Sequence, residues 1–311
     1  MTTISLVIPV FNEEAVVDVF YAELNIVLTK LEFKFEIIFV DDGSQDGTWD
    51  KLDHIQANDH QVKLLCLSRN FGHQAALLAG IEKATGDCVI TMDGDLEHPP
   101  ELIPVLIKKW QGGTEVVNTR RHSEGSLSFS KKITSELFYK IFRFLSDLEL
   151  EPGMADYRLL DRLVVDALQN IQERTLFLRG IFQWIGFTQD IVDYDVGQRS
   201  AGNSKYSLPK MLQLALNGIT SFSVVPLRIA TLLGFTFSFV SFLYLIYATM
   251  SWIFTDYSAD MWKAVIGALL LLGGVQLICL GIIGEYIGRV FLEVKSRPVY
   301  IVRLDKGFDN D

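Results

Sequence analysis

Three acids spaced two apart, Asp93, Asp95 and Glu97, follow the apolar run Val89-Ile90-Thr91-Met92 and precede Pro99-Pro100. A β-branched run that stops at a glycine and two prolines reads as a buried strand entering a loop. Acids at the carboxyl end of such a strand sit where open α/β sheets bind ligands, and two carboxylates on one side of a turn can share a hard divalent cation. An isolated Asp-Gly-Asp is more often a solvated turn. The choice between the two depends on what else the chain brings to the same place.

The elements that must position these acids come from short apolar runs that alternate with amphipathic segments from Ile4 to about Arg120. Residues 4–10, 35–40, 62–67, 87–91 and 115–118 read as strands with helical patterns between them, the signature of a mostly parallel sheet with helices on both faces. Each strand end carries a polar cluster: Asn12-Glu13-Glu14, then Asp41-Asp42-Gly43-Ser44-Gln45-Asp46-Gly47-Thr48, then Arg69-Asn70-Phe71-Gly72-His73, then the acidic stretch. Four such clusters at successive strand ends should converge on one cleft. In the second, Gly43 and Gly47 permit close backbone approach and Ser44 or Asp46 can cap a helix, while the adjacent Asp41 and Asp42 can accept from a ribose or a base. Arg69 and Asn70 suit a diphosphate contact and a structural brace equally, and His73, heading an Ala-rich helix, reads as local structure.

The chain has 311 residues, a formal charge of -10 and a hydrophobic fraction of 49%, with a mean hydropathy of +0.25. The charge argues against nucleic acid as a partner. Cys66, Cys88 and Cys279 lie in apolar segments without metal-ligand spacing and read as small hydrophobes. The apolar excess follows Leu227: residues 229–254 carry no charge and would span about 39 Å as a helix, more than a bilayer core, and residues 264–283 form a second uncharged run. Two transmembrane helices therefore make a hairpin, and Arg228, Arg289, Lys295, Arg297 and Arg303 against Lys263 place both termini in the cytoplasm. Gly273, Gly274, Gly281, Gly284 and Gly288 offer small faces for self-association. Before the hairpin, the cations from Arg120-Arg121 through Lys131-Lys132 to Arg143 flank apolar residues at helical spacing, an amphipathic helix over about 127–146 suited to the lipid headgroup level. Met154 to Leu160 forms a short extended piece with one acid, Asp156. Residues 198–206 form a loop with two cations and two hydroxyls, fit to grip a phosphate or to be an ordinary exposed loop, ahead of a second amphipathic helix at 208–225.

With Pro9-Val10-Phe11-Asn12-Glu13-Glu14, Asp41-Asp42-Gly43-Ser44, Arg69-Asn70-Phe71-Gly72, Asp93-Gly94-Asp95 and the stretch from Arg199 to Lys205, the chain resembles the family 2 GT-A glycosyltransferases over essentially its whole length. Within them it is similar to the polyprenyl-phosphate hexosyltransferases of the bactoprenyl glucosyltransferase type, relatives of dolichyl-phosphate mannose synthase. The resemblance implies a Rossmann-like GT-A catalytic domain over residues 1–205 in the cytosol, a juxtamembrane helix over 206–227, the hairpin over 228–288 and a cytosolic tail over 289–311. It implies that Pro9, Glu13, Asp41, Asp42, Arg69 and Asp93 bind the nucleotide, and that Asp93, Asp95 and Glu97 surround Mg²⁺ or Mn²⁺, with Glu97 standing where many relatives have glutamine. Asp95 and Asp156 are the implied catalytic pair. Arg120, Arg121, Lys131, Ser135, Arg199, Ser204 and Lys205 are the implied ligands of the acceptor phosphate.

The implied reaction moves glucose from UDP-glucose to polyprenyl (undecaprenyl) phosphate with inversion, at the bacterial inner membrane. The implied partners are the UDP-sugar, polyprenyl phosphate, membrane lipid, further copies in a homo-oligomer such as a tetramer, a flippase and a periplasmic transferase. The residues do not specify the hexose, so a 4-amino-arabinose derivative, mannose or GlcNAc are rivals. A non-catalytic sugar-nucleotide sensor or scaffold is the rival class. A processive polysaccharide synthase is disfavoured, because no Gln-x-x-Arg-Trp motif is present.

Overall fold

The computed structural model describes residues 2–122, 153–171, 173, 177–195, 223–254 and 261–308. The strands among them are β1 (Thr3–Val10), β2 (Lys34–Asp41), β3 (Val62–Leu67), β4 (Cys88–Thr91), β5 (Val116–His122), β6 (Met154–Asp161), β7 (Gln189–Asp195) and β8 (Val302–Lys306). The α-helices are α1 (Val17–Leu28), α2 (Thr48–Asn58), α3 (His73–Lys83), α4 (Ile103–Gln111), α5 (Arg162–Gln169), α6 (Leu178–Trp184), α7 (Val225–Phe254) and α8 (Met261–Val294). These residues fall into two compact units, one with every strand and α1 to α6, the other with α7 and α8.

The strands form a single sheet in the order β7-β5-β6-β4-β1-β2-β3-β8. Its centre, β4-β1-β2-β3, is parallel, as the alternation of runs predicts. From Ile4 onward every residue of β1 is buried, which a strand covered on both faces requires. Ile4, Leu6 and Ile8 share one core with Phe20 and Leu24 of α1, Leu52 of α2 and Leu106 of α4. Val7 points the other way by the two-residue alternation of a strand and meets α3 at Gly80. The parallel centre thus places the carboxyl ends of four strands, with their polar clusters, along one edge.

Three strands depart from the sequence expectation. β6, expected only as a short extended piece, runs antiparallel between β4 and β5, which carries Asp156, near its amino end, to the edge where β4 terminates. β7 pairs parallel with β5; its acids Asp190, Asp193 and Asp195 interrupt the apolar pattern by which a strand is recognised. Residues 289–311, expected as a tail, supply β8, which pairs antiparallel with β3. The Ser68 N–H donates to the Ile301 carbonyl (2.8 Å), Lys306 pairs with Asp53, and the Lys63 ammonium lies 5.1 Å from the Phe308 ring.

In the second unit, apolar stretches long enough to cross a membrane run over Val225–Tyr244 and Leu271–Val294. Tyr286 donates to the Ser223 carbonyl (2.6 Å) and Cys279 to that of Ala230 (3.8 Å), so the helices pack antiparallel. α8 continues beyond the expected end at Ile283 to Val294. A Cβ at Gly273, Gly274, Gly281, Gly284 or Gly288 would meet nothing within 4 Å, so the packing of α7 on α8 does not use these small faces. The expected amphipathic helix at 127–146, the 208–225 helix as far as residue 222, and the loop at 199–205 lie outside the described residues. Lys131, Ser135, Arg199, Ser204 and Lys205 go with them.

Candidate active site

The loops after β1 and β2 are joined by reciprocal hydrogen bonds. The Asn12 N–H donates to Ser44 Oγ (2.9 Å) and the Gln45 N–H returns to Asn12 Oδ1 (2.8 Å); the Glu13 N–H donates to Thr48 Oγ1 (2.9 Å) and the Gly47 N–H to Glu14 Oε2 (3.0 Å). Asp46 accepts from the Thr48 N–H (3.1 Å), one residue ahead of the N-cap position, which Gly47 occupies. Asp41 is buried at the end of β2 and accepts from the Ser44 N–H (3.0 Å). Asp42 faces the loop after β3 and accepts from the Phe71 (2.7 Å) and Gly72 (2.9 Å) N–H groups, so its carboxylate fastens one loop to another. Desolvation, with a smaller contribution from Asp41, holds that carboxyl above its usual range. A Cβ on Gly43 (φ +72°) would lie 2.6 Å from the Arg69 carbonyl carbon, an approach only glycine allows. Arg69 stacks over Phe71 at 4.0 Å. Pro9, buried in β1, lies opposite Val40 of β2, so the nucleotide candidates Pro9, Glu13, Asp41, Asp42 and Arg69 share the ends of three adjacent strands. The Cys66 thiol beside Asp41 is pushed up to about 11 by burial and by that charge, so it stays protonated at neutral pH.

At the centre, His73 at the start of α3 joins two of the expected acids. Its Nε2 is 2.6 Å from Asp93 Oδ1 and its Nδ1 is 3.9 Å from Asp156 Oδ2. Desolvation lowers the imidazole, but the Asp93 hydrogen bond and the charges of Asp93 and Asp156 outweigh it and push it up to about 8. Asp156 also accepts two hydrogen bonds from Arg179, Nε to Oδ1 (2.9 Å) and Nη2 to Oδ2 (3.0 Å), one from Arg158 Nη2 (3.2 Å) and one from Gln74 Nε2 (3.3 Å). Burial would raise this carboxyl; the charge and hydrogen bonds of Arg179, with Arg158 and His73, drive it far below the carboxylate range. A carboxylate stabilised in this way is a weak base. His73, Gln74, Arg158 and Arg179 were not among the expected site residues. Arg158, two residues from Asp156 on a strand, shares its face and was within reach of sequence reasoning. Arg179 arrives from α6 with no local signal.

The acidic loop lies over the end of β1, where a Cβ on Gly94 would sit 2.9 Å from Val10 Cγ1. The Asp93 N–H donates to Nδ1 of buried His98 (2.9 Å), whose ring stacks on Tyr157. Asp95 is exposed and accepts from the Glu97 N–H (3.0 Å). Its carboxyl is raised, first by desolvation and then by the negative charges of Asp93 and Glu97. Among the described residues no three His, Cys, Asp or Glu side chains are gathered so as to hold a metal ion. Glu97 faces Arg121, with Oε2 3.1 Å from Nη1. Asp93 and Asp95 offer hard oxygen donors of the kind that hold a divalent cation which keeps several of its waters. Of the two described acceptor candidates, Arg120 makes a two-point pair with Asp193 across β5 and β7 (2.6 and 3.1 Å), and Arg121 takes Glu97.

A parallel-centred sheet with polar loops and acids at the carboxyl edge of its strands is where open α/β folds bind their ligands. The profile of Glycosyl transferase family 2 matches residues 5–168, and the chain belongs to this family: it is a glycosyltransferase. The profile of the GtrB C-terminal hairpin matches residues 225–290, the span of α7 and most of α8. The SfII prophage-derived bactoprenol glucosyl transferase of Shigella flexneri is 41% identical over 300 residues, 96% of this chain and 97% of the relative. The uncharacterized glycosyltransferase YkcC of Bacillus subtilis (strain 168) is 40% identical over 306 residues, 98% of this chain and 95% of the relative. A solved structure, glucosyl-3-phosphoglycerate synthase from Mycobacterium tuberculosis in complex with Mn²⁺, UDP-glucose and phosphoglyceric acid, aligns with 70% of this chain and 78% of its own at 18% identity and a TM-score of 0.47.

Proposed function

We propose that the chain transfers glucose from UDP-glucose to polyprenyl phosphate, with inversion at the anomeric carbon. The observation that carries this reading is the end-to-end match to a bactoprenol glucosyl transferase, hairpin included. An acceptor phosphate oxygen attacks the anomeric carbon, the bond from that carbon to the UDP oxygen breaks, and the pair of electrons leaves with UDP. A phosphate monoester has a second pKa of about 6, so the nucleophile is largely ionised at neutral pH. No strong base is needed, which agrees with the weak basicity of Asp156. Asp156 instead fixes Arg179 and His73 beside Asp93, where cationic groups can orient the anionic substrates.

Pro9, Glu13, Asp41, Asp42 and Arg69 form the nucleotide side in this reading, with Asp42 acting through the loop it fastens. Asp93 and Asp95 would hold Mg²⁺ or Mn²⁺, which when bound supplies positive charge for the departing diphosphate. The acceptor phosphate falls to Arg120, Lys131, Ser135, Arg199, Ser204 and Lys205. The hairpin spans a bacterial cytoplasmic membrane with the catalytic unit and both flanks on the cytoplasmic side, and the small faces of α8 pair with further copies. The lipid-linked glucose then serves a flippase and a periplasmic transferase.

Transfer of radiolabel from UDP-glucose to butanol-extractable lipid, run beside UDP-GlcNAc, GDP-mannose and a UDP-aminoarabinose donor, tests the reading. Labelled lipid with UDP-glucose, lost in Asp95→Ala, is expected. Transfer from another donor alone would refute glucose, and failure with every donor would favour a sensor.

A further inference from the structure

Leu96 adopts φ +65°, a left-handed backbone rare for a bulky residue and costly to maintain. Its side chain is packed against the sheet core, and the turn it makes sets the direction of Asp95 on one side and Glu97 on the other. Two ties inside the loop accompany it: the Glu97 N–H on Asp95 Oδ1 (3.0 Å) and the Asp93 N–H on His98 Nδ1 (2.9 Å). The Glu97–Arg121 pair (3.1 Å) reaches outside the loop. Arg121 is a firm anchor, because β5 is paired on both sides and the Arg121 N–H donates to the Gly153 carbonyl (2.9 Å).

We propose that Arg121 is a positioning residue for the donor half of the site: acting through Glu97, it clamps the acidic loop in the left-handed turn that presents Asp95. Glu97 is then a member of the clamp and not a ligand of the cation, and Arg121 is removed from the acceptor set. The proposal rests on the assignment of Asp95 to the cation. It goes beyond it by naming what keeps that carboxylate in place.

The test uses the full chain in detergent and two readouts other than turnover: binding of Mn²⁺ alone, followed by the loss of the free-ion spin-resonance signal, and hydrogen exchange of the peptide covering residues 93–102 without ligand. Arg121→Ala and Glu97→Ala should each weaken Mn²⁺ binding about fivefold, the scale of a half-exposed ion pair, and speed loop exchange by a similar factor. The double variant should be no worse than either single one, because both remove one interaction. Glu97→Gln, whose amide oxygen still accepts from Arg121, should stay within about twofold of wild type.

Weaker Mn²⁺ binding in Glu97→Ala with ligand-free loop exchange unchanged would make Glu97 a ligand and overturn the clamp. An increase in acceptor KM alone in Arg121→Ala, with Mn²⁺ binding and loop exchange unchanged, would return Arg121 to the acceptor phosphate and overturn it equally. A wild-type chain that binds no Mn²⁺ would refute the cation assignment, and loop exchange would then decide the clamp by itself.

Discussion

Replacing Asp156 by asparagine separates two roles that the same carboxylate could play. Its oxygens take three hydrogen bonds from two guanidiniums, at 2.9, 3.0 and 3.2 Å. The Asp156 side chain is 11% exposed, that of Arg158 4% and that of Arg179 34%. Asp156→Asn would leave Arg158 buried without a counter-charge and would keep one acceptor oxygen where the carboxylate has two. Removing one partner of a buried pair costs about 3–5 kcal/mol. The partial exposure of Arg179 argues for the lower end, about 3 kcal/mol. At roughly 2–4 °C per kcal/mol for a unit of this size, the melting temperature should fall by about 6–12 °C. Thermal unfolding of the full chain in detergent, followed by intrinsic fluorescence, reads the shift, and a pH series of transfer at low temperature reads the chemistry. The expected variant melts early and retains the shape of the wild-type pH profile. A variant that melts like wild type while its rate loses a pH-dependent limb would show that Asp156 removes a proton, and the positioning argument would fail.

Gly80→Ala should destabilise the catalytic unit by about 1–3 kcal/mol through overpacking, because its Cβ would stand 2.3 Å from Val7 Cγ1 and 3.0 Å from Val40 Cγ2; Val7→Ala in the same chain should restore part of the loss in a melting measurement. Glu36 is buried between the Lys63 ammonium (2.8 Å), Ser5, and the Thr85 N–H (2.9 Å); burial raises its carboxyl, but these partners together bring it below the ordinary 4.5. A folded value below the unfolded one favours the fold above pH 4.5 and loses that contribution as pH falls from there through the folded value, so Glu36→Gln should be less stable at neutral pH and show a shallower acid slope in denaturant titrations. A stop after Arg297 removes β8 and its bond from Ser68 to Ile301; exchange of the β3 amides should accelerate, and unchanged protection would mean that the strand is dispensable.

The parallel centre was legible because β1 is buried on both faces from Ile4 onward and β2 and β3 are built on short apolar runs. β7 and β8 were not, since their stability comes from pairing at the side of a sheet already made, and residues such as Asp190, Asp193 and Arg303 hide the alternation. Asp93 and Asp95 were expected from acid placement at a strand end and Asp156 from the family resemblance, and the structure brings Asp93 and Asp156 to either side of His73. What the sequence could not convey was partnership. Asp42 accepts from two backbone N–H groups of the loop after β3, Glu97 faces Arg121, and His73, which read as local structure, links two carboxylates. Each of these roles depends on contacts between segments remote in the chain.

The place of β8 in the chain has a consequence for biosynthesis. Its partner β3 is made early, but β8 follows both apolar helices, so the β3 edge stays unpaired until the chain between them has been translated, on the order of tens of seconds at ordinary elongation rates. An open strand edge is a template for aggregation, and this one is short and carries Lys63, a charge that discourages pairing with a stranger. The last strand of the sheet is therefore added only after the membrane-type segments have been synthesised, and the outer edge passes from β3 to the charged β8.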